Sequence, residues 1–365
     1  MKVKNIVNLL EQLAPSQYQE NYDNAGLITG SGHDEVTGIL VSLDCTEEIV
    51  DEAIKKDCNL IVAHHPIVFK GLKRFNGKNY VERTIIKAIK NDISIYAIHT
   101  NLDNMSHGVN YKISSLLGLE NLNILSPTKN NIQKLSVFVP SENVDKVANA
   151  LADAGAGIIG DYTSCSFRTL GTGTFKGNDS SNPTLGNKNT LEKIEEVKIE
   201  VQFNAHLKGK VLSAMHQSHP YEEVAYHIAP LDITNTSIGS GMYGTLPQPI
   251  TVNDFLSKVK ETFKCGAIRH TKVIKDTISK VAVCGGAGSF LLRNAIGVNA
   301  DIFITGDFKY HEFFDAEDRI MIADIGHFES EQFTSDLLID YLKDQIGNHK
   351  IYKTEINTNP IQYFT

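Results

Sequence analysis

The stretch IVAHHPIVFKG, residues 61–71, runs from an apolar strand into two adjacent histidines and a proline. Neighbouring side chains on a regular strand point to opposite faces of the sheet. Pro66 cannot donate a ladder hydrogen bond and restricts the residue before it, so it indicates that the strand stops here. His64 and His65 are therefore expected just past the carboxyl end of a strand, which is where open α/β sheets bind ligands.

Strands and helices alternate around this stretch. Strands are predicted at 37–44, at 59–65 and from 93, and helices are predicted at 46–57 and 80–92. This order predicts parallel strand pairs with right-handed crossovers. The same α/β pattern returns near the end of the chain, where strand-then-helix units are predicted over 300–319 and 320–346.

The middle of the chain has a different pattern. Its strands and helices follow the order β-α-β-β-α-β, and residues 160–187 are rich in Gly, Ser, Thr and Asn. That order is ferredoxin-like. We therefore predict a split α/β domain, made of residues 1–128 and 233–365 with both halves in one sheet, and an inserted α+β domain at 129–232.

Composition narrows the class of protein. The 365-residue chain carries a net charge of -8 and shows no basic stripe, so nucleic acid is not an expected partner. Its five cysteines are odd in number and form no CxxC pair, which favours reduced thiols over disulfides or a thiolate zinc site. Residues 1–15 indicate an amphipathic helix rather than a signal peptide. No apolar run reaches about 18 residues, so no membrane span is predicted and the cytoplasm is the expected location.

Metal-binding side chains follow three predicted strand ends. They are His64 and His65, then His99, Asn101 and Asp103, and finally His327 and Glu331. The last two are four residues apart at the start of a helix, a spacing that puts both on one helical face. Imidazole together with carboxylate suits zinc, manganese or iron.

The number of candidate ligands favours two metals over one. A tetrahedral structural site needs four ligands, whereas His64, His65, Asp103, His327 and Glu331 make five. Adjacent, diverging histidines also fit two ions about 3.5–4 Å apart that share a carboxylate and water. The hypothesis is a dinuclear centre with open positions. The alternative is that these histidines are ordinary structural residues. An HxxxE pair on a helix is common by chance and does not by itself indicate a metal site.

Two other motifs leave alternatives open. CGGAGS, residues 284–289, follows a strand, and its backbone N–H groups suit either a phosphate site or a plain tight turn. Asp307 and His311 are four residues apart at a predicted helix start. They are candidates for supporting the metal ligands or contacting substrate, but Asp307 is equally suited to cap the helix.

Several motifs together resemble the NIF-three-like family, whose members are often labelled GTP cyclohydrolase 1 type 2 homologues. The motifs are YDNAGLITG, IVAHHPIVF, IHTNLDN, TGDFKYHEFFDA and IADIGHFESE. HPYEEVAYHI, residues 219–228, resembles the PII-like or CutA-like domain inserted in longer bacterial members. The chain departs from the family pattern at Tyr22, where a tryptophan is usual, and at Tyr310, where a histidine is frequent.

The resemblance implies a metal-dependent function. It places the ligands of a two-metal centre on His64, His65, Asp103, His327 and Glu331, with zinc as the first expectation and iron or manganese as alternatives. It also implies a ring-shaped homohexamer whose metal sites face an internal cavity. The expected activity is hydrolysis of a nucleotide or related phosphate-bearing small molecule, such as ring opening of GTP.

Proton transfer in that reaction is assigned to His99, His311 or Glu329. The alternative function is a metal-responsive regulatory or scaffold protein in which the insert senses a small ligand. Neither the substrate nor the native metal follows from the sequence.

Overall fold

The computed structural model describes residues 1–347 and 349–364. These residues form two compact units. One unit combines Met1–Pro127 with Thr236–Thr365, and the other is Thr128–Asn235. The units change over at 127/128 and 235/236, compared with the changes after 128 and 232 that the sequence suggested.

Fifteen strands and eleven α-helices make up the described chain. Before the insert come α1 (Val3–Leu13), β1 (Gly26–Thr29), β2 (Ile39–Ser42), α2 (Glu47–Lys55), β3 (Leu60–Ala63), α3 (Tyr80–Lys90), β4 (Ser94–Ala97), α4 (Thr100–Asp103), α5 (Val109–Leu116) and β5 (Glu120–Lys129). The insert contains β6 (Ile132–Pro140), α6 (Val144–Asp153), β7 (Phe167–Phe175), β8 (Glu192–Asn204), α7 (Lys208–Ser218) and β9 (Tyr226–Pro230). After it come β10 (Thr234–Thr251), α8 (Val252–Phe263), β11 (Arg269–His270), β12 (Thr277–Ala287), α9 (Leu292–Gly297), β13 (Ile302–Gly306), β14 (Met321–Asp324), α10 (His327–Glu331), α11 (Thr334–Ile346) and β15 (Ile351–Lys353).

The larger unit contains two sheets, so the expectation of a single sheet is wrong. One sheet has the order β1-β4-β3-β2-β15, and the other has the order β11-β14-β13-β12-β10-β5. Each half of the chain supplies three parallel strands, β2 to β4 and β12 to β14, as the alternating pattern predicted. Each sheet is then completed by an edge strand from the other half, β15 in the first and β5 in the second. This exchange ties the two halves together.

The two sheets share one apolar core. Val41 and Val62 from the first sheet belong to the same buried cluster as Val283 and Ile304 from the second. Each fully buried aliphatic side chain of this kind contributes about 1.5–3 kcal/mol relative to an exposed one. The carboxyl ends of the parallel strands are consequently held in place by a continuous core behind them.

The insert is a four-stranded antiparallel sheet with two helices. Its strand order is β7-β8-β6-β9, and its elements follow the predicted β-α-β-β-α-β order. Buried Val147 and Leu151 of α6 and Val211 and Met215 of α7 belong to a core separate from that of the larger unit. The similarity of this insert to PII-like or CutA-like domains stays a prediction from the sequence.

Two expectations from composition can be compared with the structure. All five cysteines are free thiols, four of them buried. In the described ranges, no helix has both the length and the apolar character needed to cross a membrane.

Deletion of the insert is expected to leave a folded core. The chain leaves and re-enters the larger unit at neighbouring points. Ser126, before the insert, and Gly239, after it, are in close contact, since a Cβ added at Gly239 would lie 2.2 Å from the carbonyl oxygen of Ser126. A short glycine linker from Pro127 to Thr236 therefore spans a small gap. The shortened chain should remain folded and bind as much metal as the full chain, measured by circular dichroism and elemental analysis. An insoluble or metal-free product would show that the insert is integral to the core.

Candidate metal centre

The candidate ligands meet at the carboxyl ends of the parallel strands. His64 and His65 directly follow β3, and His99 precedes α4 at the end of β4. Asp103 closes that four-residue helix. Their positions follow from the parallel arrangement of β3 and β4, which brings two chain-distant strand ends together at one sheet edge.

The second sheet contributes a short helix to the same place. His327 and Glu331 are the first and last residues of α10, one turn apart on the same face. Gly326 precedes the helix with φ +94°, a left-handed backbone conformation that favours glycine. A sharp turn after β14 thus points one helical face toward the histidines of the first sheet.

Four imidazoles are fixed through the same ring nitrogen. Each Nδ1 lies within hydrogen-bond distance of an acceptor: His64 with Ile98 O at 2.8 Å, His65 with Asp44 Oδ1 at 2.8 Å, His99 with Asp23 Oδ1 at 2.8 Å, and His327 with Asp307 Oδ2 at 2.7 Å. With Nδ1–H as the donor, the opposite nitrogen, Nε2, keeps its lone pair. This is the usual arrangement of metal-ligating histidines, whose second nitrogen donates to a carboxylate or carbonyl.

Glu331 lies between the imidazoles of the two sheets. Its Oε2 is 2.9 Å from Nε2 of His65 and 3.1 Å from Nε2 of His327. Its Oε1 faces the other way and is 3.9 Å from Nε2 of His64, which in turn is 3.6 Å from Oδ1 of Asp103. Two sets of three groups share Glu331, namely His65 with His327 and His64 with Asp103. A third set joins His64 and His65 with His99.

Two buried atoms of this cluster have no hydrogen-bond partner in the described part of the chain. They are Nε2 of His64 and Oδ1 of Asp103, which face each other. Buried polar atoms are nearly always paired, and an unpaired one needs an explanation. A cation between them would satisfy both atoms, so the donor set fits a divalent ion.

The electrostatics of the cluster show how strongly it favours positive charge. Burial and the neighbouring Glu331 raise the pKa of Asp103 to about 7. Burial also acts to raise the pKa of Glu331, but the imidazole of His327 outweighs it and holds that pKa well below its ordinary value. Burial would lower the pKa values of His65 and His327, yet their carboxylate partners raise them to about 9 and about 11. The carboxylates therefore favour protonated imidazoles at His65 and His327.

The metal-free chain is expected to lose thermal stability as the pH rises from about 7 to about 10. His65 and His327 have folded pKa values of about 9 and about 11, above the ordinary value of 6.5. Their contribution is full below about pH 6.5 and is lost as the pH rises through the folded values. Added metal needs unprotonated Nε2 atoms, so its stabilising effect should grow over the same range. Melting temperatures of chelated and metal-loaded samples across this pH range test both effects. A melting temperature of the metal-free chain that rises with pH would contradict the expected loss of stability.

The glycines near the end of β12 make room for the shared carboxylate. A Cβ added at Gly286 would lie 2.6 Å from Oε1 of Glu331 and 3.2 Å from Cε1 of His327. Gly286 also has φ +62°, and its N–H donates to Oγ of Ser330 at 3.0 Å. Residues 284–287 of CGGAGS belong to β12, where the register with β13 shifts between Val283 and Ala287. They form an irregular strand end rather than a separate tight turn, and this strand end packs against α10.

The three candidate proton carriers lie in different surroundings. His99 is in the cluster, with its ring centroid 5.3 Å from that of His64 and 5.4 Å from that of His65. Glu329 lies on α10 two residues from each ligand, where the 3.6-residue period turns it away, and its Oε1 accepts from Asn359. His311 is exposed on a short 3₁₀ helix and stacks on Phe314 at 6.4 Å. The structure thus brings only His99 to the cluster.

Sequence reasoning missed two carboxylates that support the site. Asp23 accepts from His99 and from both N–H and Oγ–H of Thr100, and these bonds hold its pKa near 2 although burial opposes them. Asp44 accepts from His65 and from the hydroxyl of Thr358. For Asp44 the available signal was its position after β2, whereas Asp23 lies within YDNAGLITG, one of the family motifs.

The cluster opens into a cavity of about 910 Å³ within the larger unit. His65, His99, Asp103, His327 and Glu331 form part of its wall. Small-molecule sites commonly measure about 300–1,000 Å³. The site therefore has space for a substrate next to the candidate ligands.

Comparisons with known proteins agree with this architecture. The family model for Duf34/NIF3 (NGG1p interacting factor 3) matches residues 1–360. The chain belongs to the Duf34/NIF3 family. It is similar to proteins named GTP cyclohydrolase 1 type 2 homolog, with 38% identity to that of Halalkalibacterium halodurans over the full length of both chains. Identity to that of Bacillus subtilis is 36%, over 98% of this chain and 97% of the relative.

A solved structure shows the same fold. The Bacillus cereus protein related to NIF3 superposes with a TM-score of 0.88 and 37% identity, over 100% of this chain and 99% of that chain. The Staphylococcus aureus protein SA1388 gives a TM-score of 0.78 and 30% identity over the same shares. The mixed α/β fold with several sheets is thus that of NIF3-related proteins.

Proposed function

We propose that the cluster binds two divalent metal ions and that the chain is a metal-dependent hydrolase. In this proposal, His65 and His327 would hold one ion, His64 and Asp103 would hold the other, and both sets would share Glu331. The observation that carries the proposal is the convergence of Nδ1-anchored imidazoles on one buried carboxylate, with two orphaned buried atoms beside it. Zinc, iron and manganese all suit these ligands.

Two ions in this position would supply a hydroxide near neutral pH and polarise the group under attack. His99 is the chain's own candidate for moving the proton. Its Nδ1–H donates to Asp23, so Nε2 is the atom that accepts or returns a proton at the cavity. The ionised carboxylate of Asp23 stabilises the imidazolium while it carries that proton.

The proposed substrate is a nucleotide or a related phosphate-bearing small molecule. Support comes from the relatives named GTP cyclohydrolase 1 type 2 homolog and from a cavity large enough for a nucleotide. Ring opening of such a substrate would break a carbon–nitrogen bond of the base. We further propose a homohexamer, which light scattering on the purified chain would test.

The test is metal content per chain with GTP turnover measured on the same metal-loaded sample. About two metals per chain and a ring-opened product would support the hydrolase proposal. His99→Gln should then lower turnover by about 10²–10⁴-fold while metal content stays near two. Two metals without turnover would retain the metal centre and favour the regulatory alternative. An absence of bound metal would overturn both the proposed metal centre and the proposed hydrolase activity.

A further inference from the structure

The cavity that holds the cluster is rimmed by exposed aromatic side chains. Tyr22, Phe69, Tyr80 and Phe290 all line it, with exposed fractions of 66%, 47%, 59% and 65%. Large aromatic side chains at the entrance to a cavity offer flat apolar surface to a ligand. Their position suits stacking against a planar ring.

Two of these rings lead directly to the candidate ligands. Tyr22 stacks on Phe69 with centroids 6.5 Å apart and planes 20° apart. Phe69 meets the ring of His99 edge-on at 5.6 Å, and His99 contacts His64 and His65 in the same way. These ring contacts place the aromatic surface next to the candidate ligands.

The backbone on the Tyr22 side is held in place even though the ring is exposed. Next to Tyr22, Asp23 accepts three hydrogen bonds from His99 and Thr100. Asn24 donates through Nδ2 to the carbonyl oxygen of Val68 at 2.6 Å, which ties this turn to the segment carrying Phe69. The stacking surface is therefore preorganised and does not need a loop to close before binding.

The charged groups of the cavity wall disfavour a polyanion. Four carboxylates, those of Glu20, Asp44, Asp103 and Glu331, line the cavity. Burial, together with Glu20, Asp23 and Asp103, raises the pKa of Tyr22, so the negative field reaches the rim. Two divalent cations would balance the four carboxylates and leave little surplus positive charge for a triphosphate.

We propose that the cavity recognises the planar heteroaromatic base of its substrate, stacked against Tyr22 and Phe290, and not a polyphosphate chain. Within the nucleotide class already proposed, the purine-type ring is then the recognised part, and the nucleoside alone is sufficient for binding. This inference rests on the proposed metal centre for the charge balance. The stacking surface itself is independent of that centre.

Guanosine and GTP test the inference, because they share one ring and differ in anionic charge. Binding of each to the metal-loaded full chain is measured by calorimetry, with metal content determined on the same sample. Guanosine should bind as tightly as GTP or more tightly. Tyr22→Leu and Phe290→Leu should each weaken guanosine binding by about tenfold, the size expected for loss of one stacking partner. Metal content should not change in either variant.

Phe314→Leu is the matched control, since Phe314 and Phe290 have the same exposed fraction of 65% and Phe314 lies outside this cavity. It should leave guanosine binding unchanged. GTP binding more than about tenfold tighter than guanosine would overturn the inference. So would unaltered guanosine binding in both cavity variants, or no binding of guanosine at all. Metal content in these samples reports separately on the proposed function.

Discussion

Glu331→Gln is expected to abolish binding of the two proposed metal ions. The carboxylate is 3% exposed, and its two oxygens face different imidazoles, Oε2 toward His65 and His327 and Oε1 toward His64. A neutral amide removes the negative charge and one of the two acceptor oxygens. Loss of a hydrogen-bonding group behind a ligand already costs about 10–100-fold in affinity, so loss of the shared ligand should cost more than about 100-fold. Elemental analysis after dialysis against a weak chelator measures the result.

Glu329→Gln is the matched control for that substitution. Glu329 lies on the same helix α10, is 4% exposed, and undergoes the same change in charge. Its carboxylate faces Asn359 rather than the imidazoles, so this variant should keep about two metals per chain. Equal metal loss in both variants would show that any charge change in α10 disrupts the helix. Full metal in Glu331→Gln would refute the ligand assignment.

Local sequence patterns were sufficient to find the candidate ligands. The apolar run ending in His64, His65 and Pro66 marks the end of β3, and the alternating order predicts parallel neighbours. Parallel strands put all their carboxyl ends at one edge, so side chains at those ends come together without any long-range information. The four-residue spacing of His327 and Glu331 is equally local.

Asp23 and Asp44 could not be predicted in the same way, whereas Asp307 was already a candidate for supporting a ligand. Asp23 meets His99 across 76 positions of sequence, and Asp44 meets His65 across 21. These pairs depend on where a turn lies after the sheets have packed, which periodicity does not encode. Of the candidate proton carriers, the orientation of Glu329 follows from the same local period, whereas the position of His311 does not. Glu329 turns away by helical geometry, and His311 lies on a 3₁₀ turn where an α-helix was expected.

The number of sheets depends on edge strands whose sequence pattern gives only a weak strand signal. β15 is three residues long, yet it joins β2 in parallel and completes the first sheet. β5 leaves the first half and joins the second sheet beside β10. Such exchanges depend on which edge is free after the core has formed. The sequence therefore predicted the parallel strands, but it predicted neither the edge strands β1, β5, β11 and β15 nor the division into two sheets.

Removal of metal should destabilise the larger unit and spare the insert. Without a cation, Nε2 of His64 and Oδ1 of Asp103 remain buried without a partner, and Asp103 and Glu331 remain close in the interior. A ligand at a thousandfold excess over its Kd stabilises a fold by about 4 kcal/mol per site. Two such sites in a unit of this size correspond to a fall in melting temperature of roughly 15–30 °C. Differential scanning calorimetry with and without a chelator measures it.

The insert provides an internal reference for this measurement. Its apolar core, which includes Val137, Leu151 and Ile199, is separate from the core behind the candidate ligands. The thermal unfolding transition of the insert should keep the same melting temperature when metal is removed. The Glu331→Gln chain should show no response to the chelator, because it has no metal to lose. A chelator-induced shift that persists in that variant would mean that metal stabilises the fold from another site.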